Sequence, residues 1–133
     1  MTAGLETRFA AAWRAAGAPR RLLLAVSGGG DSMALMRLAA PLARAEVSVH
    51  VATVDHGLRP ASATEARFVL REAAALGLTA VALRWEGDKP AAGLQAAARN
   101  ARYRLLAAEA GRIGADAILT YFASRVAKWL KAG

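Results

Sequence analysis

The 133-residue chain contains no cysteine. Structural disulfides, thiolate zinc sites, iron–sulfur clusters on its own thiolates and cysteine nucleophiles are all excluded by that one absence. A cytoplasmic location is the default expectation that follows. Long apolar runs are missing as well: no stretch approaches the ~18–20 residues that a membrane span requires. Residues Met1 to Ala18 carry Glu6, Arg8 and Arg14 inside an alanine-rich pattern, which is unlike a signal peptide. Acidic residues are few, ten against eighteen basic ones, for a net charge of +8. Lysine is scarcer still, because fifteen of the eighteen are arginine, the side chain best shaped to grip phosphate through two parallel hydrogen bonds. Charge alone leaves a polyanionic partner and a merely solvated arginine surface equally open.

What is present describes one folded domain. The apolar share is 56% with mean hydropathy +0.25, and the length suffices for a buried core. Leu5, Phe9 and Trp13 fall at i, i+4 and i+8 of an amphipathic helix over 5–16. Leu22-Leu23-Leu24-Ala25-Val26 is a continuous apolar run, as expected of a strand covered on both faces of a parallel sheet. Helical spacing returns over 33–45, with Pro41 expected to distort the last turn. A second strand spans 47–54. A helix over 62–76 opens with Ser62 and, three residues on, Glu65, which together predict a capping box. A third strand covers 79–85, a long helix 95–110, a fourth strand 115–120, and a closing helix 121–131. No repeat or low-complexity linker interrupts this alternation, which predicts an α/β fold: a parallel sheet of four or five strands with helices on both faces, Rossmann-like in kind.

One segment carries chemistry. Ser27-Gly28-Gly29-Gly30-Asp31-Ser32 joins a buried strand to a helix. Three consecutive glycines are expected to allow positive φ angles and close approach to a ligand, so that successive N–H groups and the helix N-terminus face one anion. Ser27 and Ser32 add hydroxyls. Asp31 brings a carboxylate to an anion site, which makes most sense as a magnesium ligand. The loop has no lysine at Walker spacing, and the dinucleotide fingerprint Gly-x-Gly-x-x-Gly is also missing.

The Ser-Gly-Gly-x-Asp-Ser pattern resembles the pyrophosphate loop of the N-type ATP-pyrophosphatases, whose fold is of the adenine nucleotide alpha hydrolase kind. Two further segments narrow the resemblance. Val54-Asp55-His56-Gly57-Leu58-Arg59-Pro60, followed by Ser62 and Glu65, and Gly93-Leu94-Gln95-Ala96-Ala97-Ala98-Arg99-Asn100-Ala101-Arg102-Tyr103 are similar to segments of the tRNA(Ile)-lysidine synthetase family, in the same order and spacing. The likeness covers about Arg20 to Thr120.

That resemblance implies an ATP- and magnesium-dependent ligase that adenylates the wobble cytidine of a tRNA(Ile) with a CAU anticodon and then lets L-lysine displace AMP. It implies ATP binding by Ser27, Gly28, Gly29, Gly30, Asp31 and Ser32, catalytic roles for Asp31 and Arg102, and places for Asp55, His56 and Arg99 beside the nucleotide cleft. A homodimer is compatible with it, and no membrane is involved. Arg59 and Arg67 are weighed for RNA phosphates, and Tyr103 for packing. After the fourth strand the family carries a His-His-x-x-Asp-Asp-x-x-Glu-Thr segment, where this chain reads Tyr121 to Lys131 with no acidic residue after Asp116. The expectation is therefore a single ATP-pyrophosphatase domain over 1–133, truncated or altered at its end, which binds nucleotide whether or not it turns over.

Overall fold

A computed structural model describes residues 2–43, 46–122 and 125–131, with the side chains of Thr2, Ala3, Leu5, Asp31 and 121–131 outside that description. The elements run α1 (Thr2–Ala15), β1 (Arg21–Ala25), α2 (Gly30–Ala43), β2 (Ser48–Asp55), α3 (Ala61–Ala75), β3 (Thr79–Arg84), α4 (Leu94–Ile113), β4 (Ala117–Phe122) and β5 (Arg125–Lys131). They form one five-stranded sheet of order β3-β2-β1-β4-β5. The first four strands are mutually parallel, as the apolar runs predicted. Leu22, Leu23 and Leu24 are wholly buried at the centre of this sheet. Burying each such leucine contributes about 1.5–3 kcal/mol.

Strand order determines which face each helix takes. The chain moves outward from β1 to β2 to β3, then returns across β1 to β4. With right-handed crossovers the outward helices share one face, and the returning helix must take the other. Leu22, Leu24 and Val26 accordingly pack with Phe9 of α1, Met33, Leu35 and Met36 of α2, and Val69 and Ala73 of α3. Leu23 and Ala25 meet Leu106 and Ala110 of α4 on the opposite face. Phe9 and Trp13 serve the core as expected, and the Trp13 indole N–H donates to the Pro19 carbonyl at 3.0 Å. The Leu5 side chain lies outside the described residues.

Three local expectations are corrected. Residues 125–131 are a strand, not a closing helix. Antiparallel β5 pairs Lys131 with Ala117 and Trp129 with Leu119, so the backbone groups of β4's outer edge enter a ladder. The capping box does not form. Pro60 is the N-cap of α3, no side chain caps the helix, and Ser62 and Glu65 are engaged elsewhere. Helix α2 runs through Pro41 and starts at Gly30, three residues earlier than its apolar spacing suggested.

One hydrogen bond and one close approach tie α4 to the sheet. At its C-terminus, Gly114 is left-handed (φ +68°), and the Arg21 guanidinium donates to the Ile113 carbonyl at 2.9 Å, placing positive charge at the helix's negative end. One turn back, buried Glu109 accepts two hydrogen bonds from Arg112, at 2.7 and 2.5 Å, while His50 Nε2 of β2 stands 3.0 Å from the same carboxylate without hydrogen-bond alignment. The Arg112 hydrogen bonds hold the Glu109 carboxyl below the usual carboxylate range against the opposing cost of burial. Its stabilisation is therefore present above the unfolded carboxylate value and is lost as pH falls through the folded one. Because Arg112 is largely exposed, Glu109→Gln is expected to cost only about 1 kcal/mol at neutral pH. Thermal unfolding of both proteins should converge in acid, and an equal deficit at every pH would contradict this assignment.

Candidate nucleotide site

The order β3-β2-β1-β4 reverses direction between β1 and β4, and α/β sheets bind ligands at the carboxyl edge beside such a reversal. A cleft of about 600 Å³ lies there. It is lined from β1 and its loop by Val26, Ser27, Gly28 and Gly29; from β2 and the following loop by Thr53, Val54, His56 and Arg59; from α3 by Ser62, Glu65 and Ala66; and from α4 by Ala98, Arg99 and Arg102. Three segments far apart in sequence, the glycine loop and the two that carry the family resemblance, thus meet in one concavity.

The loop between β1 and α2 is closed by its own serines. The Ser27 N–H donates to Ser32 Oγ at 2.8 Å, and the Gly29 N–H to Ser27 Oγ at 3.3 Å. Ser32 is buried and Ser27 exposed, so one hydroxyl fastens the turn from beneath and the other from the solvent side. The first intrahelical bond at this end runs from the Met33 N–H to the Gly29 carbonyl. The N–H groups of Gly30, Asp31 and Ser32, in the first turn of α2, have no carbonyl four residues back within the helix. They form, with the helix dipole, a set of donors for an anion. The glycines do not act as expected, however, since none of Gly28, Gly29 or Gly30 has positive φ. Gly28 is required by proximity instead: a Cβ there would lie 3.3 Å from Glu65 Cβ and 3.6 Å from Glu65 Cγ, with the loop laid directly on α3.

Facing the loop, Arg102 is partly buried on α4 and donates from Nη2 to Thr120 Oγ1 at 3.3 Å. Burial pushes the Arg102 guanidinium below its ordinary value, with Tyr103 working weakly in the other direction. An arginine remains charged through such a shift, so the cleft holds a partly desolvated cation with N–H groups to spare. Arg99, one turn earlier, lines the same wall, exposed. Arg59 bridges both carboxylate oxygens of Glu65 from Nη2, at 3.2 Å each, across the mouth. Three arginines against one glutamate leave the lining positive.

The remaining candidates divide. His56 lines the cleft, whereas Asp55 beside it is buried and accepts the Gly57 N–H at 3.1 Å on its carboxylate, which makes it a turn-former. Arg67 donates to Thr64 on an exposed face of α3, and it is not part of the lining. The Asp31 side chain lies outside the described residues. Among the described residues no cluster of three histidine, aspartate or glutamate side chains could hold a metal. Sequence reasoning missed Thr120, whose signal was a polar residue ending the apolar run Ala117-Ile118-Leu119, and it misread Ser62 and Glu65 as helix caps.

Comparison with known proteins shows the family and the fold. Over 116 residues the chain is 55% identical to the tRNA(Ile)-lysidine synthase of Rhodopseudomonas palustris, covering 85% of this chain and 33% of the relative. With the enzyme of the same name from Rhizobium meliloti it is 54% identical over 104 residues, covering 75% and 23%. The chain therefore spans a third or less of the length of these curated relatives. Among solved structures, the U34-tRNA thiolase NcsA of Methanococcus maripaludis superposes with a TM-score of 0.67 at 12% identity, covering 75% of this chain and 37% of that one. An NH3-dependent NAD synthetase of Campylobacter jejuni gives 0.51 at 18% identity, covering 77% and 46%. At such identities the likeness is one of fold. A family model described as the PP-loop domain matches residues 1–124, and on that match the chain belongs to the PP-loop family.

Proposed function

We propose that the cleft binds ATP with its phosphates on residues 27–32, as the adenylating part of a tRNA(Ile)-lysidine synthetase. The observation that carries this reading is the meeting of an amide-rich loop and a partly buried Arg102 at the strand-order reversal. The curated relatives' names supply the tRNA, and the net charge of +8 suits a polyanion.

In this reading the loop amides and the N-terminus of α2 hold the departing pyrophosphate. Arg102, kept in place by Thr120, and Arg99 donate to phosphate oxygens whose charge grows in the transition state. An oxygen of the wobble cytidine attacks the α-phosphorus, the bond to pyrophosphate breaks, and the lysine amine then displaces AMP to form the C–N bond. Asp31 is the carboxylate offered to magnesium. Magnesium takes one or two carboxylates and otherwise phosphate oxygens and water, so Asp31 would hold it together with the phosphates of ATP. Bound there, magnesium supplies neutralisation of the developing negative charge.

A second reading, nucleotide binding without turnover, is favoured by one feature. Residues 121–131, at and beyond the end of β4, carry no carboxylate.

Calorimetric titration of the chain with ATP and magnesium should give one site. Arg102→Ala is expected to weaken it about 10- to 100-fold through loss of charge-assisted hydrogen bonds. Gly28→Val should remove detectable binding while leaving the circular dichroism spectrum unchanged, because its γ-carbons would be driven into Glu65. Failure of the unaltered chain to bind ATP sinks both readings. Pyrophosphate release that depends on tRNA and lysine separates the ligase from the binding-only protein.

A further inference from the structure

Two groups converge on a single ring nitrogen of His56. The backbone N–H of Leu58 donates to Nδ1 at 3.2 Å, and Ser62 Oγ lies 3.3 Å from the same atom. A hydroxyl can donate or accept, but a backbone N–H can only donate. Nδ1 therefore presents its lone pair, and the proton of the neutral ring sits on Nε2. The opposite tautomer would set an N–H of the ring against the N–H of Leu58.

The surroundings hold this arrangement in place. Ser62 is buried at 4% exposure on the first turn of α3, and its own N–H is bound to the Arg59 carbonyl at 3.0 Å. Its hydroxyl proton is thus directed to His56 from a fixed backbone. On the other side, left-handed Gly57 (φ +67°) is tied to Asp55, and Lys89 Nζ packs 3.8 Å from where a Gly57 Cβ would stand. His56 is held between these two turns and is one of the residues that line the cleft.

We propose that the Leu58 N–H holds His56 as the Nε2–H tautomer and that Ser62 is a positioning residue, which fixes the ring's orientation so that it donates a hydrogen bond to an oxygen of the bound nucleotide and does not act as a general base. The proposal rests on the ATP reading above. A neutral donor suits a wall that already carries Arg59, Arg99 and Arg102: it adds a directed hydrogen bond without confining a fourth cation among three.

The chain has two histidines, His50 and His56, so long-range 1H–15N correlation spectra of the labelled chain at pH 7.5 assign both with one Gln variant of His50. His56 Nδ1 is expected at the shift of a lone-pair nitrogen and Nε2 at that of a protonated one. ATP with magnesium should move Nε2 and leave Nδ1 in place. Ser62→Ala should keep the Nε2–H tautomer, which the Leu58 N–H still enforces, but diminish the displacement of Nε2 by ATP and raise the Kd for ATP about three- to tenfold. An Nδ1–H ring or averaged shifts in the unaltered protein overturns the proposal, and so does tight ATP binding that leaves Nε2 unmoved. Should the Ser62 variant fail to fold, the spectra of the unaltered protein still decide. Absence of ATP binding would instead refute the nucleotide reading and the donor role with it, while the free protein's tautomer would still test the part assigned to the Leu58 N–H.

Discussion

The reversal of strand order beside β1 is the constraint from which the rest follows. Because β1 is hydrogen-bonded in parallel to β2 on one side and β4 on the other, its carboxyl end cannot continue straight and must turn out over the edge of the sheet. Right-handed connections then send α2 to one face and α4 to the other. The gap between their approaches is the cleft, with Ser27 to Gly29 entering from β1 and Arg102 from α4. Apolar packing alone, through Leu22 to Val26, thereby brings an amide-rich turn opposite a guanidinium.

Charge follows the same geometry. Thr120 is wholly buried where β4 reaches the carboxyl edge, and it gives Arg102 an oxygen partner that carries no negative charge of its own. The cation's Coulombic attraction stays available for a ligand. Glu65 sits differently: it lines the cleft, and both of its carboxylate oxygens are paired with Arg59. The Glu109, Arg112 and His50 cluster belongs to the structure and not to the site, since it links α4 to β2 and contributes no cleft residue.

Much of this was legible in the residues. Buried strands declare themselves as continuous apolar runs, and a Gly-Gly-Gly turn between strand and helix narrows what can follow, so the parallel sheet and the loop could be read from the residues, whereas Arg99, Arg102 and His56, which line the cleft, came from the family resemblance. Short-range signals with two physical outcomes were misread. Arg125 to Lys131 has apolar positions compatible with either period, and the unpaired edge of β4 decided for a strand. Ser62 and Glu65 satisfy the capping-box spacing, yet Pro60 takes the cap and leaves both side chains to the cleft. Glycine signalled the loop correctly for the wrong reason, because contact with Glu65 and not backbone handedness restricts Gly28. Tertiary proximity of that sort has no signature in a local window.

The central claim, that the backbone of residues 27–32 receives the phosphates of ATP, is tested most directly by following backbone amide resonances during titration with ATP and magnesium. The N–H signals of Gly28 through Ser32 and the side-chain signals of Arg102 should show the largest displacements and saturate together at one equivalent. Saturable displacements centred elsewhere, with the glycine amides unmoved, would contradict it.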